Sequence, residues 1–393
     1  MLWASCFGGR TSHQTAWCSK QQSARAEALP PRAARALHAI AVSLSLAFAC
    51  ATSAVAAPAP AKPSGYEFND SHFHLTNYIQ EGITPQQFLK IMGTRVGRST
   101  LFGIPLQQQW SFRNSGDEAP TYYLDSDSPL YYYSFTDAAI AMAYRSLSKA
   151  DQARFDPMIT GFNPADMYAA DHIKRVLLTF PGVFEGIGEF TIHKEFVSSK
   201  VSGEVASLAD PALDRILDFA AESGLAVILH SDVDRPFAKQ GSPPKFLSQM
   251  KELVARHPKT TIIWAHTGLG RVIQPVQDHV GMIESLIDDP AYANLSFDIS
   301  WDEVAKYAVS SPEAIAAAAA MLNRHPERFL FGSDTVAPKE AASYFAVYDM
   351  WKPVFDRVDK DALQKVLKGN YERIFDKARK DVRVWERAHA VQH

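Results

Sequence analysis

Residues 210–266 repeat one pattern twice. A helix-like stretch, Asp210–Ser223 (DPALDRILDFAAES), leads into a short apolar run, Ala226–His230 (AVILH). A second, Phe246–His257 (FLSQMKELVARH), leads into Thr260–His266 (TTIIWAH). In the first stretch Leu213, Ile216, Leu217 and Ala220 recur at helical spacing, and Pro211 suits a helix start. Pro258 ends the second and leads into the next run. Helical patterns alternating with short apolar runs predict β/α units around a parallel sheet.

The same alternation extends in both directions. Upstream lie Tyr66–His74 (YEFNDSHFH), Ser99–Leu106 (STLFGIPL), Met158–Phe162 (MITGF) and Val183–Phe190 (VFEGIGEF). Downstream lie Leu295–Ile299 (LSFDI) and Phe329–Asp334 (FLFGSD), the latter preceded by the helix-forming Ser311–Arg324. Eight runs predict an α/β fold, a (β/α)8 barrel, with a doubly wound open sheet as the alternative. No Gly-x-Gly-x-x-Gly turn follows the first run to support a nucleotide-binding version of that sheet. Trp110–Tyr144 is too long and aromatic for a plain connection. It reads as an insertion after the early strands, either a lid or wall over a pocket or a surface or oligomer contact.

The rest of the 393-residue chain sets the boundaries. Its composition, 47% hydrophobic and 21% charged, is that of a globular protein, and a net charge of −3 gives no electrostatic case for nucleic acid. Residues 1–57 hold five basic residues against Glu27 alone, together with all three cysteines, Cys6, Cys18 and Cys50. Arg32 and Arg35 precede an apolar run that ends in Ala54-Val55-Ala56, as in a secretory leader. The expected organisation is a leader over 1–56, a linker over 57–65 and a barrel over 66–393. The mature chain would be exported to the periplasm or beyond, with no membrane span and no cysteine left to bind metal.

Several apolar runs end in metal-ligand residues. His72 and His74 stand two apart, so an extended strand points both to one face. Glu189, His230, His266 and Asp334 end four further runs. In a parallel barrel all these ends share one rim, so the six side chains converge. Imidazole and carboxylate together suit one or two divalent ions, zinc first, with manganese, iron or nickel as alternatives. Arg235, Arg271 and Asp298 lie beside these ends and are the candidates for contacting a small-molecule substrate.

This ordered set, with the phrases DSHFH, ILHSD, WAHTG, LFGSD and LKGNYERIF, resembles the amidohydrolase superfamily in its amidohydrolase-related branch. The resemblance runs from about Tyr66 to Phe375. It implies that His72, His74 and His230 ligate the metal and that Asp334 ligates it or holds its water. It also implies that His266 binds a second metal or faces the substrate, and that Glu189 bridges two metals. His193 is a reserve candidate. The reaction implied is hydrolysis of a C–N, C–O or lactone bond, with Asp334 and His266 in catalytic roles. Non-oxidative decarboxylation is the alternative, set back because Leu269 stands where such relatives carry an acidic residue. A noncatalytic exported metal-binding protein is the third reading.

Overall fold

Along Ala226–His230, Val227 and Leu229 pack into the large outer core, while Ala226 and Ile228 join a small inner cluster with Met158, Ile263 and Leu330. That division by parity organises the molecule. The structure, a computed structural model, describes residues 65–108, 116–118, 130–132, 135–200 and 206–390. The expected leader lies outside the described residues, as does the linker apart from Gly65.

The described strands are β1 (Phe68–Asp70), β2 (Phe73–His74), β3 (Val96–Leu101), β4 (Leu106–Gln108), β5 (Leu130–Tyr132) and β6 (Phe155–Ile159). They continue as β7 (Gly186–Thr191), β8 (Ala226–His230), β9 (Ile262–Trp264), β10 (Leu295–Asp298), β11 (Phe329–Leu330) and β12 (Thr335–Val336). Eight of them form a parallel sheet in the order β1-β3-β6-β7-β8-β9-β10-β11. Its two edges meet: Ser71 N donates to Phe331 O at 3.0 Å, and β12 pairs in parallel with β2. The result is a (β/α)8 barrel. Side chains of one parity fill its interior and those of the other pack on the surrounding helices.

The helices begin and end where their sequences dictate. Asp210 accepts a hydrogen bond from Ala212 N ahead of Pro211–Ser223, and Gly224 closes that helix at φ 80°. A Cβ on Gly224 would also meet Asp381, so the position suits glycine twice over. Ser311 caps Pro312–Arg324 in the same way. Each fully buried Ile, Leu or Phe between strands and helices contributes roughly 1.5–3 kcal/mol. No described helix is long and apolar enough to cross a membrane.

Two strands start earlier than the apolar pattern indicates. β3 begins at Val96 rather than Ser99, and β6 at Phe155 rather than Met158. The early residues include Arg98 and Asp156, which are buried and bonded to each other at the barrel floor. A paired ion can enter a strand that an apolar count passes over. The insertion is described only in part. β4 and β5 pair as an antiparallel hairpin at its base, and it returns through the helix Thr136–Arg145. Its lid or wall role falls mostly on residues outside the described ones.

Candidate metal centre

Strand parity carries His230 to the rim on the inner face of β8, in step with Ala226 and Ile228. His72 and His74 reach the same place from the β1–β2 edge, Glu189 from β7, and His266 and Asp334 from the turns after β9 and β11. His266, Thr267 and Asp334 adopt left-handed backbone angles, with φ of 56°, 52° and 49°. Such conformations cost roughly 1–3 kcal/mol each and persist where the surroundings fix them. Here they turn the chain sharply at the strand ends.

The distances are those of a ligand shell. A tetrahedral site with metal–ligand bonds of ~2.0–2.1 Å sets ligand atoms roughly 3.3 Å apart. His72 Nε2 and His74 Nε2 lie 3.3 and 3.2 Å from Asp334 Oδ1, and His74 Nε2 lies 3.6 Å from Glu189 Oε2. His266 Nε2 lies 3.6 Å from Glu189 Oε1 and 3.8 Å from Asp334 Oδ2. Three overlapping trios have ligand atoms mutually within 4.8 Å: His72, His266 and Asp334; His72, His74 and Glu189; Glu189, His230 and His266. His72 Nε2 and His266 Nε2 are buried and make no hydrogen bond. Two orphaned imidazole nitrogens aimed among carboxylate oxygens fit a divalent cation. His230 stands closer: its Nδ1 is 2.5 Å from Glu189 Oε1, a direct hydrogen bond.

A second set of groups fixes the imidazoles. Asp298 Oδ2 lies 2.7 Å from His72 Nδ1, Asp232 Oδ1 lies 3.1 Å from His230 Nε2, and Ser300 Oγ lies 3.0 Å from His266 Nδ1. Each leaves the opposite ring nitrogen facing the centre, as outer-shell partners of metal sites do. Burial would lower the pKa of His72, but Asp334 and Asp298 overcome it and hold it well above the usual value. Burial would raise those of Glu189 and Asp334. Lys200, Lys194 and His230 reverse it for the first, and His72, His266 and His74 for the second, keeping both ionised. Burial wins at His266, which falls to about 4 despite Asp334.

The six residues expected to converge are therefore together. The three expected substrate contacts are placed differently from one another. Asp298 is buried behind His72 and faces no open space. Arg271 is half-exposed, its Nε 4.0 Å from Glu195 Oε1 and its guanidinium 5.9 Å from the Trp301 ring, which lies 4.9 Å from the His266 ring. Arg235 is exposed and lines a separate cavity of about 260 Å³ with Phe237 and Val272. His193 turns away to stack on Phe246. Sequence reading missed Asp232, Ser300 and Trp301, and it missed Lys194 and the buried Lys200, whose Nζ lies 3.2 Å from Glu189 Oε2. Asp232 had a signal, since it stands two residues beyond His230; the lysines had none.

The chain is similar to several known proteins. Among solved structures, an amidohydrolase from Burkholderia multivorans with bound zinc superposes at a TM-score of 0.49 with 14% identity, over 79% of this chain and 99% of its own. An uncharacterized TIM-barrel protein from Bordetella bronchiseptica gives 0.48 and 14% over the same shares. A dihydroorotase from Campylobacter jejuni gives 0.46 and 14%, over 79% of this chain and 83% of its own. A comparison with curated proteins returns no match. The sequence profile described as amidohydrolase matches residues 70–377, from the end of β1 into the C-terminal helix, and so includes every residue of the rim cluster. The chain belongs to the amidohydrolase family.

Proposed function

We propose that this protein is a metal-dependent hydrolase that cleaves a C–N, C–O or lactone bond of a small molecule. The observation that carries the reading is the pair of buried, hydrogen-bond-free Nε2 atoms of His72 and His266 among the oxygens of Glu189 and Asp334. His72, His74, Glu189 and Asp334 would hold one divalent ion, with His230 and His266 available to a second. A divalent ion bound there supplies an acidified water and polarises the group under attack.

The chain's own residues do the rest. Asp334 has the most exposed side chain of the set, at 10%, so the open side of the centre lies there. Its carboxylate orients the attacking water, accepts its proton and returns it to the leaving group. Ser300 sets the role of His266. As an acceptor from Nδ1–H it leaves Nε2 to a metal; as a donor to Nδ1 it leaves Nε2–H facing the negative charge that develops on the substrate oxygen. The leader-like residues 32–56 support an exported location for this enzyme.

The test is metal content per chain, with turnover of ester, lactone and amide panels before and after chelation. We expect at least one divalent ion per chain, loss of turnover on chelation and recovery on adding zinc. Full activity in metal-free protein would overturn the mechanism. Release of carbon dioxide from a small carboxylic acid, with every ester, lactone and amide untouched, would replace hydrolysis with decarboxylation.

A further inference from the structure

Asp70 stands where the barrel closes. It ends β1, and its side chain is fully buried. Four donors converge on it from three segments of the chain. Its Oδ1 accepts from His72 N at 3.0 Å and from Ser333 N at 2.8 Å. Its Oδ2 accepts from the Ser333 hydroxyl at 2.7 Å and from the Tyr344 hydroxyl, on the helix Ala341–Phe355, at 2.8 Å. A carboxylate offers about four acceptor sites, so the chain fills this one by itself. Asp70 belongs to none of the three ligand trios.

The residues held on Oδ1 border the metal centre. His72 carries one of the two orphaned Nε2 atoms, and Ser333 directly precedes Asp334. His72 follows β1, at one edge of the sheet, and Asp334 follows β11, at the other. Their spacing is therefore set across the seam and not along a single strand. Asp334 N donates to His72 O at 2.7 Å, and the Asp70 carboxylate ties the two stretches to one point beside that bond. The seam has no slack: a Cβ on Gly332 would come within 2.7 Å of His72 Cβ and 2.9 Å of His72 N.

We infer that Asp70 is a positioning residue of the metal centre. By holding His72 N and Ser333 N on one oxygen, it fixes the 3.3 Å separation of His72 Nε2 and Asp334 Oδ1. The inference rests on the metal-dependent reading given above.

Calorimetric zinc titration of the metal-stripped full chain tests it, with unfolding curves alongside so that affinities are compared only in folded protein. Asp70→Ala is expected to weaken zinc binding by about 10–100-fold, as loss of a group that orients a ligand does. Asp70→Asn keeps one oxygen for the two backbone N–H groups. It is expected to recover part of that loss, staying about three- to tenfold weaker than the parent. Asp156→Ala removes a buried carboxylate from the barrel floor instead, and should bind zinc as the parent does whatever it loses in stability. Parent affinity in folded Asp70→Ala overturns the proposal. So does an equal loss in Asp156→Ala, because zinc affinity would then follow stability alone. If Asp70→Ala does not fold, parent affinity in Asp70→Asn overturns it. A parent chain that binds no zinc or other divalent ion would overturn the metal reading and this inference together, whereas the other failures remove only the role of Asp70.

Discussion

The barrel carries a polar cluster at each end, and the two follow different charge rules. At the floor, Arg98 binds Asp156 and Asp376, Arg379 reaches Asp156 at 2.7 Å and Glu185 at 3.3 Å, and Arg383 reaches Glu185 at 2.8 Å and Glu386 at 2.7 Å. Tyr371 adds its hydroxyl to Asp156. Every carboxylate there has a guanidinium, much of it supplied by the C-terminal helix Asn370–His389 that closes this end. At the rim, Glu189, Asp232, Asp298 and Asp334 meet imidazoles and the lysines Lys194 and Lys200. Imidazoles supply fixed charge only if protonated, so a cation bound at the rim would add to its charge balance. The floor pairs its carboxylates with the chain's own arginines, although Glu185 Oε2 is buried without a hydrogen-bond partner. The rim instead brings imidazoles and carboxylates to ligand-shell spacing.

The sharpest way to break that contrast is to remove one carboxylate from each end. Asp334→Asn is expected to lower kcat/KM by about 10²–10⁴-fold, the contribution of positioned acid–base catalysis, with the unfolding midpoint little changed. Turnover within a factor of two of the parent would take Asp334 out of the mechanism. Asp156→Ala should do the reverse. It strands Arg98 and Arg379 without their shared partner and is expected to cost about 3–5 kcal/mol in denaturant unfolding, with activity per folded molecule unchanged. A loss of activity in fully folded Asp156→Ala would show that the floor reaches the chemistry, and the division would fail.

A smaller effect separates holding the ion from holding the fold. Asp298→Asn keeps the size of the group against His72 but weakens its grip on the ring, and should lower zinc affinity by about 10–100-fold. Calorimetric zinc titration reads it directly. Unchanged affinity would make Asp298 part of the packing alone.

This division also accounts for how much was legible beforehand. Strand ends at the rim could be read because an apolar run that stops on His or Asp is conspicuous, as in AVILH and FLFGSD. The helix start at Pro211 was legible for a similar reason, being local. The floor was invisible: Arg98 and Asp156 are 58 positions apart, and each alone looks like the end of a strand rather than its beginning. Lys194 and Lys200 escaped because they serve Glu189 from a loop with no period. Asp298 was expected to contact substrate, but which way it faces depends on His72, 226 positions away, and no local pattern carries that. Residues whose role is set by their own strand can be read from sequence, whereas those set by a partner across the barrel need coordinates.

Asp137 supplies a third rule and the finest test. It sits in the first turn of the helix Thr136–Arg145 and accepts hydrogen bonds from Thr160 N and Gly161 N, with no cation beside it. Burial therefore raises its pKa from 3.8 to about 7, the backbone hydrogen bonds only partly opposing it. Asp156 moves the other way, because burial is overcome by Arg98 and Arg379. The unfolded chain releases the Asp137 proton near 3.8, while the folded chain keeps it to about 7. Between those values the folded state binds more protons, so the stability that this group contributes is complete below about 3.8 and is lost as pH rises to about 7. The slope is at most one proton, about 1.4 kcal/mol per pH unit. Asp137→Asn cannot titrate, and subtracting its unfolding free energies from the parent's cancels every other group. A difference that falls with pH across this window and then levels off is expected. A flat difference would mean that Asp137 stays ionised when folded, and burial without a cation would then not suffice to neutralise a carboxylate in this barrel.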